Sequence, residues 1–117
     1  FSAKTVNVEW FGNIARLYLA QQQYRAAARS YLQAMPYTTT FSQRKQFFLL
    51  GVKALQSGNL LPDAVAAGQT YAGMLLADTE VVEYLTRLAL AANRPDIAQY
   101  YVSLLLKQRI SPTGANP

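Results

Sequence analysis

Residues 15–36 read ARLYLAQQQYRAAARSYLQAMP. Ala alternates there with Tyr and Leu at helical spacing, and the segment holds no acid, thiol or imidazole. Residues of this kind pack; they do not react. Leu17 and Tyr18 lead to a polar break at Gln21-Gln22-Gln23, after which Tyr24, Ala27, Ala28, Tyr31, Leu32 and Met35 resume the spacing. Pro36 ends the second run, because proline cannot donate the next helical hydrogen bond. The stretch therefore reads as most of a helical hairpin. Its first helix starts near residue 6, with Val6, Trp10, Phe11 and Ile14 on one face.

The same arrangement recurs downstream. After a loop at YTTT (37–40), Thr40 and Gln43 have the spacing of a capping box, opening a helix over 42–57. Gly58-Asn59 reads as its stop, with glycine in the left-handed conformation. Pro62 suits the first turn of a helix running to about Leu76. Asp78 and Thr79 are N-cap candidates for a fifth helix ending at Ala92. Asn93-Arg94 is the next turn, and a sixth helix spans 95–109 with Ala98, Tyr101, Val102 and Leu105 on its apolar face. The tail SPTGANP is expected to fray. No segment alternates with period two, so no sheet is expected.

Turns at Gln22-Gln23, Gly58-Asn59 and Asn93-Arg94 lie 36 and then 35 residues apart. Aligned on them, Phe11, Ile14, Ala15 and Tyr18 match Phe47, Leu50, Gly51 and Ala54, then Val82, Leu85, Thr86 and Ala89. Ala27, Ala64 and Ala98 follow the turns. This period and pattern resemble the tetratricopeptide repeat. The expected fold is all-α: three stacked helix-turn-helix hairpins, units of about 5–38, 40–77 and 78–110, in a right-handed superhelical slice. Ala15 and Ala27 mark the crossing within a hairpin, where larger side chains would force the helices apart. Phe11, Tyr18 and Tyr31 fill the groove toward the next hairpin. The middle unit departs from the pattern. Leu61 reads as an insertion, and Gly68 stands where a large residue is expected. Ala64, Gly68 and Ala72 form a small-residue stripe suited to close packing.

Composition narrows the function. The 117 residues suit one domain, and 51% are hydrophobic. Phe1 opens the chain without a Met, so it reads as a piece of a longer protein. The absence of Cys and His removes thiol and imidazole chemistry and the commonest zinc ligands. Net charge is +5, which favours acidic partners, although charge dispersed along the chain in this way more often serves plain solubility. AVAAGQTYAGMLLA (64–77) is too short to span a membrane. Asp78, Glu80 and Glu83 form the one acid cluster, better read as first-turn charges on a helix than as a catalytic or metal-binding set. Tyr24, Arg25, Arg29 and Tyr31 interleave aromatic and basic residues, but the tyrosines fall on buried positions, which argues against nucleic acid. No catalytic residue, metal or cofactor is expected.

From NVEWFGNIARLYLAQQQYRAAARSYLQAMPYTTT through LAANRPDIAQYYVSLLLKQ, nearly the whole chain resembles the periplasmic repeat region of the PelB family, outer-membrane proteins that export the Pel exopolysaccharide. The resemblance implies a long periplasmic array ahead of a β-barrel pore, of which this chain would be an internal slice. It implies a scaffold that recruits the deacetylase and hydrolase PelA. It also implies a cationic polymer, a poor match for a chain of charge +5. Direct contact with that polysaccharide is the alternative, and self-association through Trp10, Phe11 and Leu104-Leu105-Leu106 is another.

Repeat scaffolds bind along the concave face of their first helices. By pattern that face carries Glu9, Gly12, Arg16, Leu19, Lys45, Phe48, Val52, Gln56, Glu83, Arg87 and Leu90. The expected partner-binding set is Glu9, Arg16, Lys45, Phe48, Gln56, Glu83 and Arg87, with Arg16, Lys45 and Arg87 as one cation per hairpin against an acidic protein surface.

Overall fold

The computed structural model describes residues 7–110, with side chains to Gln108. Val6, assigned by pattern to the first helix, and the tail 111–117 lie outside the described residues. The elements are α1 (Val8–Ala20), α2 (Tyr24–Gln33), α3 (Phe41–Ser57), α4 (Leu61–Tyr71), α5 (Thr79–Ala91) and α6 (Pro95–Ile110), with 3₁₀ turns at Met35–Tyr37 and Gly73–Ala77. Among the described residues there is no strand.

Side-chain caps open three of these helices. Asn7 accepts from the Glu9 N–H at 2.8 Å, Thr40 from the Gln43 N–H at 3.0 Å, and Asp78 from the Val81 N–H at 3.1 Å. Gln43 reaches back, as its spacing suggests, but its Oε1 accepts from the N–H of Thr39 (3.1 Å), not Thr40.

Three helix ends share one backbone geometry. Gln22, Asn59 and Asn93 take φ near +60°. The N–H of the following residue donates back to the helix in each case: Gln23 to Tyr18 O at 2.9 Å, Leu60 to Leu55 O at 2.9 Å, Arg94 to Ala89 O at 2.8 Å. This is the Schellman closure. It corrects the reading of the second turn, because Gly58 has φ −86° and Asn59 is the left-handed residue. Gly58 is required for room instead: a Cβ there would lie 2.6–2.8 Å from Tyr24. The left-handed residues lie 37 and then 34 residues apart, at 22, 59 and 93.

That one-residue shift changes every equivalence in the middle of the chain. Aligned on the left-handed residues, Trp10, Phe11, Ile14, Leu17 and Tyr18 of α1 correspond to Phe47, Phe48, Gly51, Ala54 and Leu55 of α3. They correspond also to Val81, Val82, Leu85, Leu88 and Ala89 of α5. The α3 and α5 sets are buried throughout, and no member of the α1 set is.

The chain forms two compact units, Phe1–Ala64 and Val65–Pro117, with the boundary inside α4. In the first, α2 packs on both α1 and α3. Ala15 and Ala27 are fully buried, as expected of crossing residues. Leu32 lies over Gly51, where a Cβ would come within 2.7 Å of its Cγ. Tyr31 is buried against Phe47, ring centroids 6.2 Å apart. Phe11 instead stacks on Tyr37 at 5.8 Å, and Phe11 and Tyr18 stay half-exposed. The α-helical part of α2 ends at Gln33, and Pro36 sits inside the 3₁₀ turn.

In the second unit α5 packs on α6. Gly68 is buried, and a Cβ on it would lie 2.8 Å from Leu85 Cδ2, the close approach that the small-residue stripe suggests. The fourth helix stops at Tyr71, short of Leu76, because Gly73 turns left-handed at φ +50°. Gln108 ties this corner together, donating to Leu76 O at 2.9 Å and accepting from the Thr79 hydroxyl at 3.0 Å. On α6, Ile97, Ala98 and Tyr101 are buried, whereas Val102, assigned to the apolar face, is exposed.

Candidate functional site

The residues expected to bind a partner divide among three environments. Glu9 and Arg16 are exposed on α1 and line a groove of about 360 Å³ in the first unit. Asn13, Gln43, Gln46 and Leu50 share its walls, and Gly12, Tyr31 and Phe47 complete its lining. Glu9 stands in the first turn of α1, where the helix dipole favours an acid. One turn before Arg16, Asn13 accepts a hydrogen bond from its guanidinium. The groove thus offers an acid, a cation and several amides above an aromatic floor.

Glu83 lines a smaller pocket of the second unit, about 110 Å³, with Thr79, Leu105 and Gln108. Arg87 is exposed on the same helix, and Gln56 is exposed on α3. Burial pushes the phenol of Tyr84 up to about 12, against the opposing pull of the Arg87 charge.

Two assignments need correction. Phe48 is 0% exposed and is the largest fully buried side chain, so it is core and meets no partner. Val52, placed on the same face, is also fully buried. The Phe48 and Val52 placements both descend from aligning on Gly58. Lys45 is half-buried on α3, and its register partners are Val8 and Thr79. Counted from Asn59, the residue equivalent to Arg16 and Arg87 is Lys53, and all three are exposed. Lys53 was legible in the sequence once the asparagine, rather than the glycine, is taken as the left-handed residue.

Elsewhere the chemistry is sparse. Arg25 pairs with Asp63 at 2.8 Å on an exposed surface, an interaction worth at most about 1 kcal/mol. Tyr31 is buried, so the Tyr24, Arg25, Arg29, Tyr31 cluster cannot offer both rings to stack on bases. Asp78 is engaged in capping. Among the described residues no group of three or more acidic, Cys or His side chains is placed to hold a metal ion, and no helix is long and apolar enough to cross a membrane.

The described residues are all-helical, and Glu9 and Arg16 line a polar groove between α1 and α3. No protein-family model, no curated protein and no solved structure matches the chain.

Proposed function

We propose that the chain is a slice of a tetratricopeptide-type array, three hairpins in a right-handed superhelix, acting as a protein–protein scaffold in the periplasmic part of an exopolysaccharide secretion complex. Its partner is the polymer-modifying deacetylase and hydrolase of the PelA type, recruited toward an outer-membrane export pore. The role is binding without catalysis and without a cofactor.

The observation that carries the reading is the repeated cation. Arg16, Lys53 and Arg87 occupy one register position on α1, α3 and α5, six residues before Gln22, Asn59 and Asn93, and each is exposed. Three cations held at one repeat position favour an acidic partner surface. The net charge of +5 supports the same choice and disfavours a cationic polymer. The compartment and the partner's identity rest on the family resemblance of the sequence.

Titration against a purified PelA-type deacetylase, at low and at moderate salt, tests the reading. The expected result is saturable binding that weakens as salt rises. The triple variant Arg16→Ala, Lys53→Ala, Arg87→Ala is expected to bind at least tenfold more weakly while retaining its helical circular-dichroism spectrum. Lys45→Ala serves as the control and should leave affinity unchanged. No binding by the folded protein at either salt, or a triple variant that binds like the parent, overturns the proposal.

A further inference from the structure

The chain holds two methionines and no cysteine, so its thioethers are the sulfur groups that an oxidant meets. Their surroundings are opposite. Met35 is 6% exposed and opens the 3₁₀ turn of the first unit. Met74 is 76% exposed, more than any other large hydrophobic side chain among the described residues, and stands in the 3₁₀ turn Gly73–Ala77 of the second unit.

The backbone around Met74 is held on both sides. Gly73, just before it, turns left-handed. Leu75, just after it, is 1% exposed and anchors the turn in the core. The Leu75 N–H donates to Ala72 O at 2.8 Å, and its carbonyl accepts from the Asp78 N–H at 2.9 Å. Gln108 donates to Leu76 O one residue further on. A held turn thus presents this thioether to water.

Exposure decides what oxidation does at each sulfur. A sulfur lone pair attacks one oxygen of hydrogen peroxide, the S–O bond forms as the O–O bond breaks, and the second oxygen leaves with both protons as water. The sulfoxide is polar. At Met35 it would place a polar group in the core, whereas at Met74 it stays in solvent and displaces no packed side chain.

We propose that Met74 is a site of reversible oxidation, converted to the sulfoxide by peroxide while Met35 stays reduced and the fold is kept. A thiol-dependent methionine sulfoxide reductase restores the thioether. Two thiols supply two electrons and two protons, a disulfide forms, and the oxygen leaves as water. The proposal does not rest on the partner surface described above.

Dilute hydrogen peroxide on the whole chain, followed by peptide mass mapping over time, is the test. Met74 is expected to gain one oxygen at least about tenfold faster than Met35, as its accessibility requires. The singly oxidised protein should keep its circular-dichroism spectrum and urea midpoint. Met74→Leu should lose the fast phase and Met35→Leu should retain it. In unfolding urea the two methionines should react at similar rates, because the fold is what separates them. Sulfoxide reductase with dithiothreitol should return the original mass. Equal rates in the folded protein overturn the proposal, as does an unchanged preference for Met74 in urea. A singly oxidised protein with a lowered urea midpoint, or one that the reductase leaves unchanged, overturns it as well.

Discussion

In the first unit a glycine of α3 lies beneath a leucine of α2; in the second, a glycine of α4 lies beside a leucine of α5. The sizes have changed sides. Gly51 belongs to a first helix and receives Leu32, whereas Gly68 belongs to a second helix and receives Leu85. Gly51 and Leu85 hold one register position on their helices, whereas Gly68 is the equivalent of Tyr31 and Leu32 that of Gln69, so the two sites share one wall and are filled from neighbouring positions of the opposing helix. A repeat read by residue type alone loses this continuity, because Gly68 then looks like a defect in the pattern. As half of a pair it is the complement of Leu85.

The largest expected effect comes from emptying either pair. Leu32 and Leu85 are both buried, so Leu32→Ala and Leu85→Ala should each destabilise by about 2–5 kcal/mol in urea titration. Trp10, the only tryptophan, lies in the first unit, so its fluorescence follows that unit while circular dichroism follows both. A loss below about 1 kcal/mol for either variant would show that the pair does not seal its interface, and the comparison would fail on that side.

Filling the glycine is next. A Cβ at Gly51 meets Leu32 Cγ and Cδ2 at 2.7 and 2.8 Å, too close to be tolerated without movement. Overpacking of this kind costs about 1–3 kcal/mol, opposed by about 1 kcal/mol of helix propensity. Gly51→Ala should therefore be a net loss. It should turn into a gain in the Leu32→Ala background, where the space is free, and a thermodynamic cycle reads the coupling directly. Gly68→Ala with Leu85→Ala provides the parallel cycle. Additive behaviour in either cycle would mean that the glycine serves something other than the leucine above it.

The all-helical character was readable in the chain because apolar residues keep helical spacing from Phe11 to Leu105 and because the turn residues stand out. Asp78 and Thr40 declared themselves as caps, since an N-cap is a local hydrogen bond between near neighbours. The second turn misled because glycine carries two meanings. Gly58 is there to admit Tyr24, a residue far away in sequence, and no local pattern records that contact. Choosing it as the left-handed residue moved the frame by one position, which on a helix rotates the face by about 100° and exchanges inside for outside. Phe48 thereby appeared on the binding face and Lys53 vanished from it. Glu9 and Arg16 are exposed, as their pattern suggests, because α1 was counted from Gln22, where no glycine competes.

The same ambiguity predicts a modest gain. Gln22 and Asn59 both hold φ near +60°, a conformation that costs a side chain roughly 1 kcal/mol or more and that asparagine tolerates better than glutamine. Gln22→Gly should therefore raise stability by about 1 kcal/mol, and Asn59→Gly by less. The difference is read as a shift in the urea midpoint at constant slope. Equal effects would mean that the asparagine side chain contributes nothing at its turn.

The smallest effect separates the two pairs by pH. The Gly68–Leu85 side has a phenol beside it: Tyr101 Oη lies 3.9 Å from where a Cβ on Gly68 would stand, and the ring is buried. Burial raises the Tyr101 pKa, and the neighbouring Tyr100 adds to the rise. The folded state thus favours the neutral phenol. Below the ordinary phenol value near 10, both folded and unfolded chains are neutral there and the contribution is constant. Above it the unfolded chain ionises first, so stability falls as pH rises until the folded phenol ionises as well. Urea midpoints measured upward from neutral pH should decline more steeply for the parent than for Tyr101→Phe. Tyr84, whose value of about 12 lies in the same unit, contributes the remaining slope, and the Tyr84→Phe, Tyr101→Phe double variant should flatten the curve further. Parallel declines in parent and Tyr101→Phe would mean that water reaches the phenol, and that the packing around Gly68 is looser than the close approach to Leu85 implies.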